Sequence, residues 1–211
     1  LNKLSQDAQE MLQLIEKWDG GYRANSKEPV AFELTLHTFI EEFYFPQLQE
    51  NGLKAFLSVT DLGKAIPEDL SRISDPQSAT ALKVGLEKAA SEIDQFPTWG
   101  DMHRLRLRHP LGAVPFIGEN FTFDEFPSSG SRQTIMKTSH SPTDEKHFVG
   151  YGSQARHISD MSDLDENYFV LLGGQDGWLN SSTFLDQVKL WRSREYIKMT
   201  DRMNGFSVSI N

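Results

Sequence analysis

Residues 168–191 read YFVLLGGQDGWLNSSTFLDQVKLW. A short apolar run from Tyr168 to Leu172 passes through GGQDG and a Ser/Thr cluster into a stretch with Phe184, Val188 and Trp191 on one stripe. Apolar residues first in a compact run and then at helical spacing, with turn residues between, predict a strand, a tight turn and a packing helix. The turn lacks the G-x-x-x-x-G-K-[ST] spacing, and the lysine, that a phosphate loop needs, and it is not G-x-G-x-x-G. The G-x-S-x-G of a nucleophile elbow is absent as well. Ser181, Ser182 and Thr183 read as caps for the free N–H groups of a helix over 181–197. Gly173, Gly174 and Gly177 serve backbone geometry, and Gln175 and Asp176 hydrogen-bond the turn.

Toward the N-terminus the periodicity is helical. Leu4, Ala8, Met11, Leu12, Ile15 and Trp18 share one face, and Gly20 and Gly21 end that helix. A second helix is predicted near Lys27, with Ser26 as N-cap and Pro29 in its first turn, running toward Pro46. Its apolar face, with Val30, Phe32, Leu36, Phe39, Ile40 and Phe43, is wide enough to be buried on more than one side. Residues 47–76 read as loops with one or two helical turns, and a further helix follows to about Asp94. Strands are then expected within 96–112 and at 131–138, 147–152, 154–161 and 168–172, with a last one in GFSVSI near the end. Residues 111–130 read as a loop. The fold class is α+β: 1–95 mainly helical, 96–211 mainly strands in a mostly antiparallel sheet plus helix 181–197, all in one unit.

Composition excludes several functions. With 38% hydrophobic and 24% charged residues the chain is of ordinary globular type, and a net charge of −9 opposes binding a polyanion. Arg104, Arg106 and Arg108 alternate as the polar face of a strand would, so nucleic acid is not an expected partner. The absence of cysteine removes disulfides, thiolate catalysis and Cys-ligated zinc. No apolar run approaches the roughly 18 residues that span a bilayer, and no signal peptide opens the sequence. A first residue other than Met, Leu1, suggests a processed or excised portion of something longer.

His37, His103, His109, His140, His147 and His157 show no H-E-x-x-H or comparable ligand spacing, so each reads as a surface or hydrogen-bonded structural histidine and no metal ligand set is expected. The acidic DMSDLDEN stretch, with Asp160, Asp163, Asp165 and Glu166, lacks the glycine and bidentate glutamate of an EF-hand and reads as a solvated β-turn.

Three blocks, LIEKWDGGYRANS (14–26), WGDMHRLRLRHPLG (99–112) and GSQARHISDMSDLDENYFVLLGGQDGWLNSSTFLDQVKLWRSREYIKM (152–199), resemble in this order the C-terminal part of the large chain of the penicillin amidases, a branch of the N-terminal-nucleophile hydrolases. The third block, with G-G-Q-x-G, then D-Q and W-x-x-x-x-Y, is the most specific. The family usually carries Ser where Asp176 stands, and an aromatic or His-containing stretch where this chain reads SSTFL. The resemblance implies an αββα sandwich and hydrolysis of a linear amide, such as a β-lactam side chain or an N-acyl homoserine lactone. It also implies an exported precursor, periplasmic or secreted, cut to leave an N-terminal serine that acts through its own α-amine, with an oxyanion hole of backbone N–H groups and an Asn side chain. Those parts, and the family's calcium ligands, belong upstream, so no catalytic, binding or metal residue is carried onto this chain and no cofactor is expected in it. The partners implied are the rest of the precursor or its other chain and a small acyl-amide substrate; no membrane partner is expected.

Two other readings stand beside this one. A stand-alone binding or interaction module could use the same half-sandwich, and would behave as a compact monomer without an exposed apolar patch. An enzyme with its own site around His103, His109 and His157 would hydrolyse an acyl-amide unaided and lose that activity in His103→Ala.

Overall fold

The computed structural model describes residues 4–71, 76–141 and 147–199. Its helices are α1 (Gln6–Lys17), α2 (Glu28–Phe43), α3 (Phe45–Val59), α4 (Leu62–Ser71), α5 (Pro76–Glu92), α6 (Trp99–Met102) and α7 (Val188–Ser193). Its strands are β1 (His103–Arg108), β2 (Thr122–Pro127), β3 (Thr138–Ser139), β4 (His147–Val149), β5 (Tyr151–Gly152), β6 (Ala155–Ser159), β7 (Asn167–Leu171) and β8 (Ile197–Met199). The class is α+β. GFSVSI lies outside the described residues.

The chain divides into two compact units, one of residues 1–107 and 123–150, the other of 108–122 and 151–211. In the first, α1 starts where the Ser5 hydroxyl accepts the Ala8 N–H and ends before Gly20, whose φ of +80° suits glycine. Helix α2 begins at Glu28 with Pro29 in its first turn, but Ser26 is not its cap. The Ser26 carbonyl instead accepts the Trp99 N–H at 2.7 Å, which ties the start of α2 to α6. Met11, Val30, Ala31, Leu34, Ala89, Trp99 and Met102 bury together between these helices.

Two helices, α3 and α4, occupy most of the stretch expected to be loops. Their short apolar pieces are spaced so that Leu53, Leu62 and Ile66 meet Phe39, Ile40, Tyr44 and Ala81 in a second buried cluster. That burial outweighs the breakers within them, Gly52 and Pro67, and a kink at Gln49 with φ +57°.

Helices α2 and α5 approach closely at Gly85. The Thr38 hydroxyl donates to the Gly85 carbonyl at 2.8 Å, and a Cβ on Gly85 would stand 3.2 Å from both the Phe39 nitrogen and Thr38 Oγ1. Gly85→Ala would gain about 1 kcal/mol of helix propensity but incur an overpacking cost of about 1–3 kcal/mol. A net loss of about 1 kcal/mol is therefore expected, read from the denaturant midpoint.

One helical turn, α6, precedes β1, closed by a capping box between Thr98 and Asp101. The strand expected within 96–112 is thus shorter, starting at His103. It sits at the centre of the order β2-β1-β4, and β1 and β4 run parallel with His103 opposite His147 and Leu105 opposite Val149. On one face His103, Leu105, His147 and Val149 are buried. On the other, Arg104 and Arg106 meet Glu125 of β2 at 3.0 and 2.6 Å, and the Arg106 guanidinium lies 3.8 Å over the Phe148 ring. Residues 131–137 form turns with an isolated bridge between Ser131 and Lys137, leaving only Thr138 of the expected strand in β3, because Thr134 Oγ1 accepts the Ser131 N–H and donates to the Met136 carbonyl.

In the second unit β6, β7 and β8 form an antiparallel sheet, Ala155 opposite Leu171 and Asn167 opposite Met199. Asp160 Oδ1 accepts from the Ser162 N–H, and Asp163 Oδ1 from Asp165, so the acidic stretch is a turn between β6 and β7. The helix expected over 181–197 is confined to Val188–Ser193. Ser181 and Thr183 do not cap it: both hydroxyls donate to Asp176 Oδ2, whose partner oxygen accepts the Trp178 N–H, and the turn so made consumes 176–183. Arg194 at φ +63° ends α7 and leads into β8. Gly174 is held by space, since a Cβ would fall 2.0 Å from the Thr183 carbonyl oxygen.

Asp176→Ala should release this turn, seen as faster amide hydrogen exchange at Trp178. Asp176→Ser, which retains a short oxygen acceptor, should largely preserve protection.

The D-Q and W positions of the third block act as one clasp. Gln187 Oε1 accepts the Leu171 N–H at 2.9 Å, the Trp191 indole donates to the Ser153 carbonyl at 2.9 Å, and both side chains are fully buried. Arg156 of β6 donates to the Trp191 carbonyl at 2.6 Å and lies over its ring.

Candidate metal centre

Within the first unit, four elements bring polar side chains to one buried point. Glu33 comes from the inner side of α2, His103 from the first position of β1, His147 from the first position of β4, and His140 from just beyond β3. The parallel register fixes His103 beside His147, and the α6 turn sets where β1 begins. Trp99 covers the group: its ring stacks on His103 at 4.5 Å and meets His140 and His147 edge-on at 5.8 and 5.5 Å. Its indole N–H donates to the Gly130 carbonyl at 3.0 Å, where φ is +90° and a Cβ would lie 2.0 Å from the Met136 oxygen. Only glycine fits that corner.

The polar contacts are incomplete. The Tyr22 hydroxyl donates to Glu33 Oε1 at 2.7 Å, and His140 Nε2 stands 3.5 Å from Glu33 Oε2. The His140 and His147 rings are stacked, centroids 3.9 Å apart and 10° from parallel. His103 Nδ1 lies 3.0 Å from the Ser128 carbonyl. A carbonyl can only accept, so Nδ1 carries the proton and Nε2 keeps a lone pair. Among the described residues, Glu33 Oε2, His103 Nε2 and both ring nitrogens of His140 and of His147 have no hydrogen-bond partner.

Burial sets the charges. It pushes His103 down to about 4, with the charge of His140 adding to the effect, and holds His147 well below the ordinary histidine range, with His140 and His103 contributing. For Glu33 burial acts upward, but the His140 imidazole 3.5 Å away, then the Tyr22 hydroxyl and Arg132, outweigh it and leave the carboxyl below its usual value. Burial and Glu33 together raise Tyr22, which stays a neutral donor. Two neutral imidazoles and a carboxylate are therefore present at neutral pH.

One ligand atom from each of Glu33, His140 and His147 falls within 4.8 Å of the others. A set dominated by imidazole nitrogen does not suit calcium, which takes oxygen ligands, and suits an ion of the zinc type.

Of the three histidines read together in the sequence, only His103 is here. His109 Nδ1 accepts the Leu111 N–H at 3.2 Å and its ring stacks on Phe121, while His157 pairs with Ser159 at 3.0 Å. Glu33, His140 and His147 escape a search for paired ligand spacing because each arrives on a different element. The one local signal is a glutamate inside the apolar run VAFELTL.

Among the described residues no helix is long and apolar enough to cross a membrane. The chain is α+β, with a capping-box turn feeding β1 and a glycine-turn-to-helix clasp at Gln187 and Trp191. The model of the penicillin amidase family matches residues 1–204, and the chain belongs to that family. A search of curated proteins returns no match.

Proposed function

We propose that this chain is framework for a penicillin amidase-type enzyme that cleaves linear amides, of the β-lactam side-chain or N-acyl homoserine lactone kind. Family membership over residues 1–204 carries the reading. The polar residues of the most specific block support it, since Asp176, Ser181, Thr183 and Gln187 are committed to turn and strand contacts within the scaffold. In this reading the attacking serine lies on other polypeptide, the rest of the precursor or its other chain. Its hydroxyl oxygen bonds to the amide carbonyl carbon while its own α-amine takes the hydroxyl proton, which it then gives to the leaving nitrogen as the C–N bond breaks. Water then releases the acyl group. The calcium ligands of the family lie on that other polypeptide too, the enzyme is exported to the periplasm or beyond, and the four-layer sandwich is completed in the whole assembly.

The test is complementation. The 211 residues alone should leave a chromogenic acyl-amide intact, and adding the upstream polypeptide carrying an N-terminal serine should restore hydrolysis. Hydrolysis by the isolated chain, abolished in His103→Ala, would replace this reading with a self-contained site.

A further inference from the structure

We propose that Glu33, His140 and His147 bind one divalent transition-metal ion of the zinc class, which braces α2 against β4 and the segment following β3. The three donors lie within 4.8 Å of one another, and the residues are 3%, 5% and 0% exposed. Buried polar atoms in folded proteins are almost always paired, yet Glu33 Oε2 and all four ring nitrogens of the two histidines have no hydrogen bond among the described residues. An ion would pair one donor atom of each residue at once.

Zinc holds nitrogen and oxygen donors at about 2.0–2.2 Å, so two donors on a tetrahedral ion stand about 3.3 Å apart. Closing the observed span to that spacing requires the stacked His140 and His147 rings to turn about their Cβ–Cγ bonds, a broad torsion, until their lone pairs converge. Any proton on the ligating nitrogens leaves to solvent as the ion enters.

The surroundings match those of a ligating set. Tyr22 fixes the glutamate through Oε1, leaving Oε2 toward the histidines. His103, its Nδ1 proton held by a backbone carbonyl, keeps an unpartnered Nε2 on a ring whose centroid lies 5.1 Å from that of His140. The three donor residues are buried beneath Trp99, which suits a structural ion. The site uses only residues of this chain, whichever amide the enzyme cleaves.

The experiment uses the chelator-treated 211-residue chain, titrated with Zn2+ by calorimetry and with Co2+ by visible absorption. The expected result is one ion per chain, d–d bands of a low-coordinate nitrogen/oxygen site, and a rise in Tm that chelator reverses. His140→Asn, His147→Asn and Glu33→Gln should each weaken Zn2+ binding more than Tyr22→Phe, an outer contact expected to cost roughly 10–100-fold. His109→Ala and His157→Ala should bind as the unsubstituted chain does. Folding of each variant is checked by far-UV circular dichroism. If the ligand variants unfold, the unsubstituted chain decides alone. Absence of stoichiometric uptake there, or uptake retained in a folded His140→Asn/His147→Asn double variant, overturns the site.

Discussion

Trp99→Ala is expected to destabilise the first unit by about 3–5 kcal/mol, the range for removing a fully buried tryptophan. The residue is 0% exposed and meets Tyr22, His103, His140 and His147 with its ring. Truncation opens a cavity over polar groups and strands the Gly130 carbonyl, so the cost exceeds that of an apolar site of equal size. Trp99→Phe keeps most of the ring area and loses chiefly the indole hydrogen bond, and should cost about 1 kcal/mol beyond the lost volume. Urea unfolding, with hydrogen exchange to localise the loss to residues of the first unit, measures both. An alanine variant within about 1 kcal/mol of the parent would show that Trp99 does not organise the cluster.

Trp191→Ala should cost a similar amount, about 3–5 kcal/mol, in the second unit. This side chain is also fully buried, donates to Ser153 and lies beside the Arg156 guanidinium. Removing the ring deletes the indole hydrogen bond to Ser153 and takes away the apolar cover of a largely enclosed cation, whose pKa burial already lowers. The β6–β7 hairpin should then lose hydrogen-exchange protection first, because α7 packs on β7 and the hairpin has few other buried side chains. Loss confined to residues of the first unit would contradict this placement of Trp191.

Both tryptophans belong to motif blocks recognisable in the sequence, and their roles are framework roles. Trp99 anchors the turn that starts β1, and Trp191 clasps α7 to β7. The family's glycine-rich turn behaves likewise here, with Asp176 serving as the oxygen acceptor of its own loop. Blocks that stand far apart along the chain thus do local work in separate units.

Local periodicity carried the reading of α1, α2, α5 and the β6–β7 hairpin, because each buries one repeating face or turns at residues that favour turning. It failed at α3 and α4, where Gly and Pro argued for loops and burial against α2 and α5 prevailed. It failed again at 181–187, where hydroxyls that could cap a helix found Asp176 first.

Sequence by itself determined the α+β class, the family resemblance, and the polar face of Arg104 and Arg106, since composition, motif order and alternation are properties of the chain in one dimension. Only tertiary structure decided that Glu33, His140 and His147, with Glu33 and His147 114 positions apart and each borne on a different element, share one buried cluster. A parallel strand pairing and the inward face of a helix create that proximity, and neither leaves a spacing in the sequence to be read.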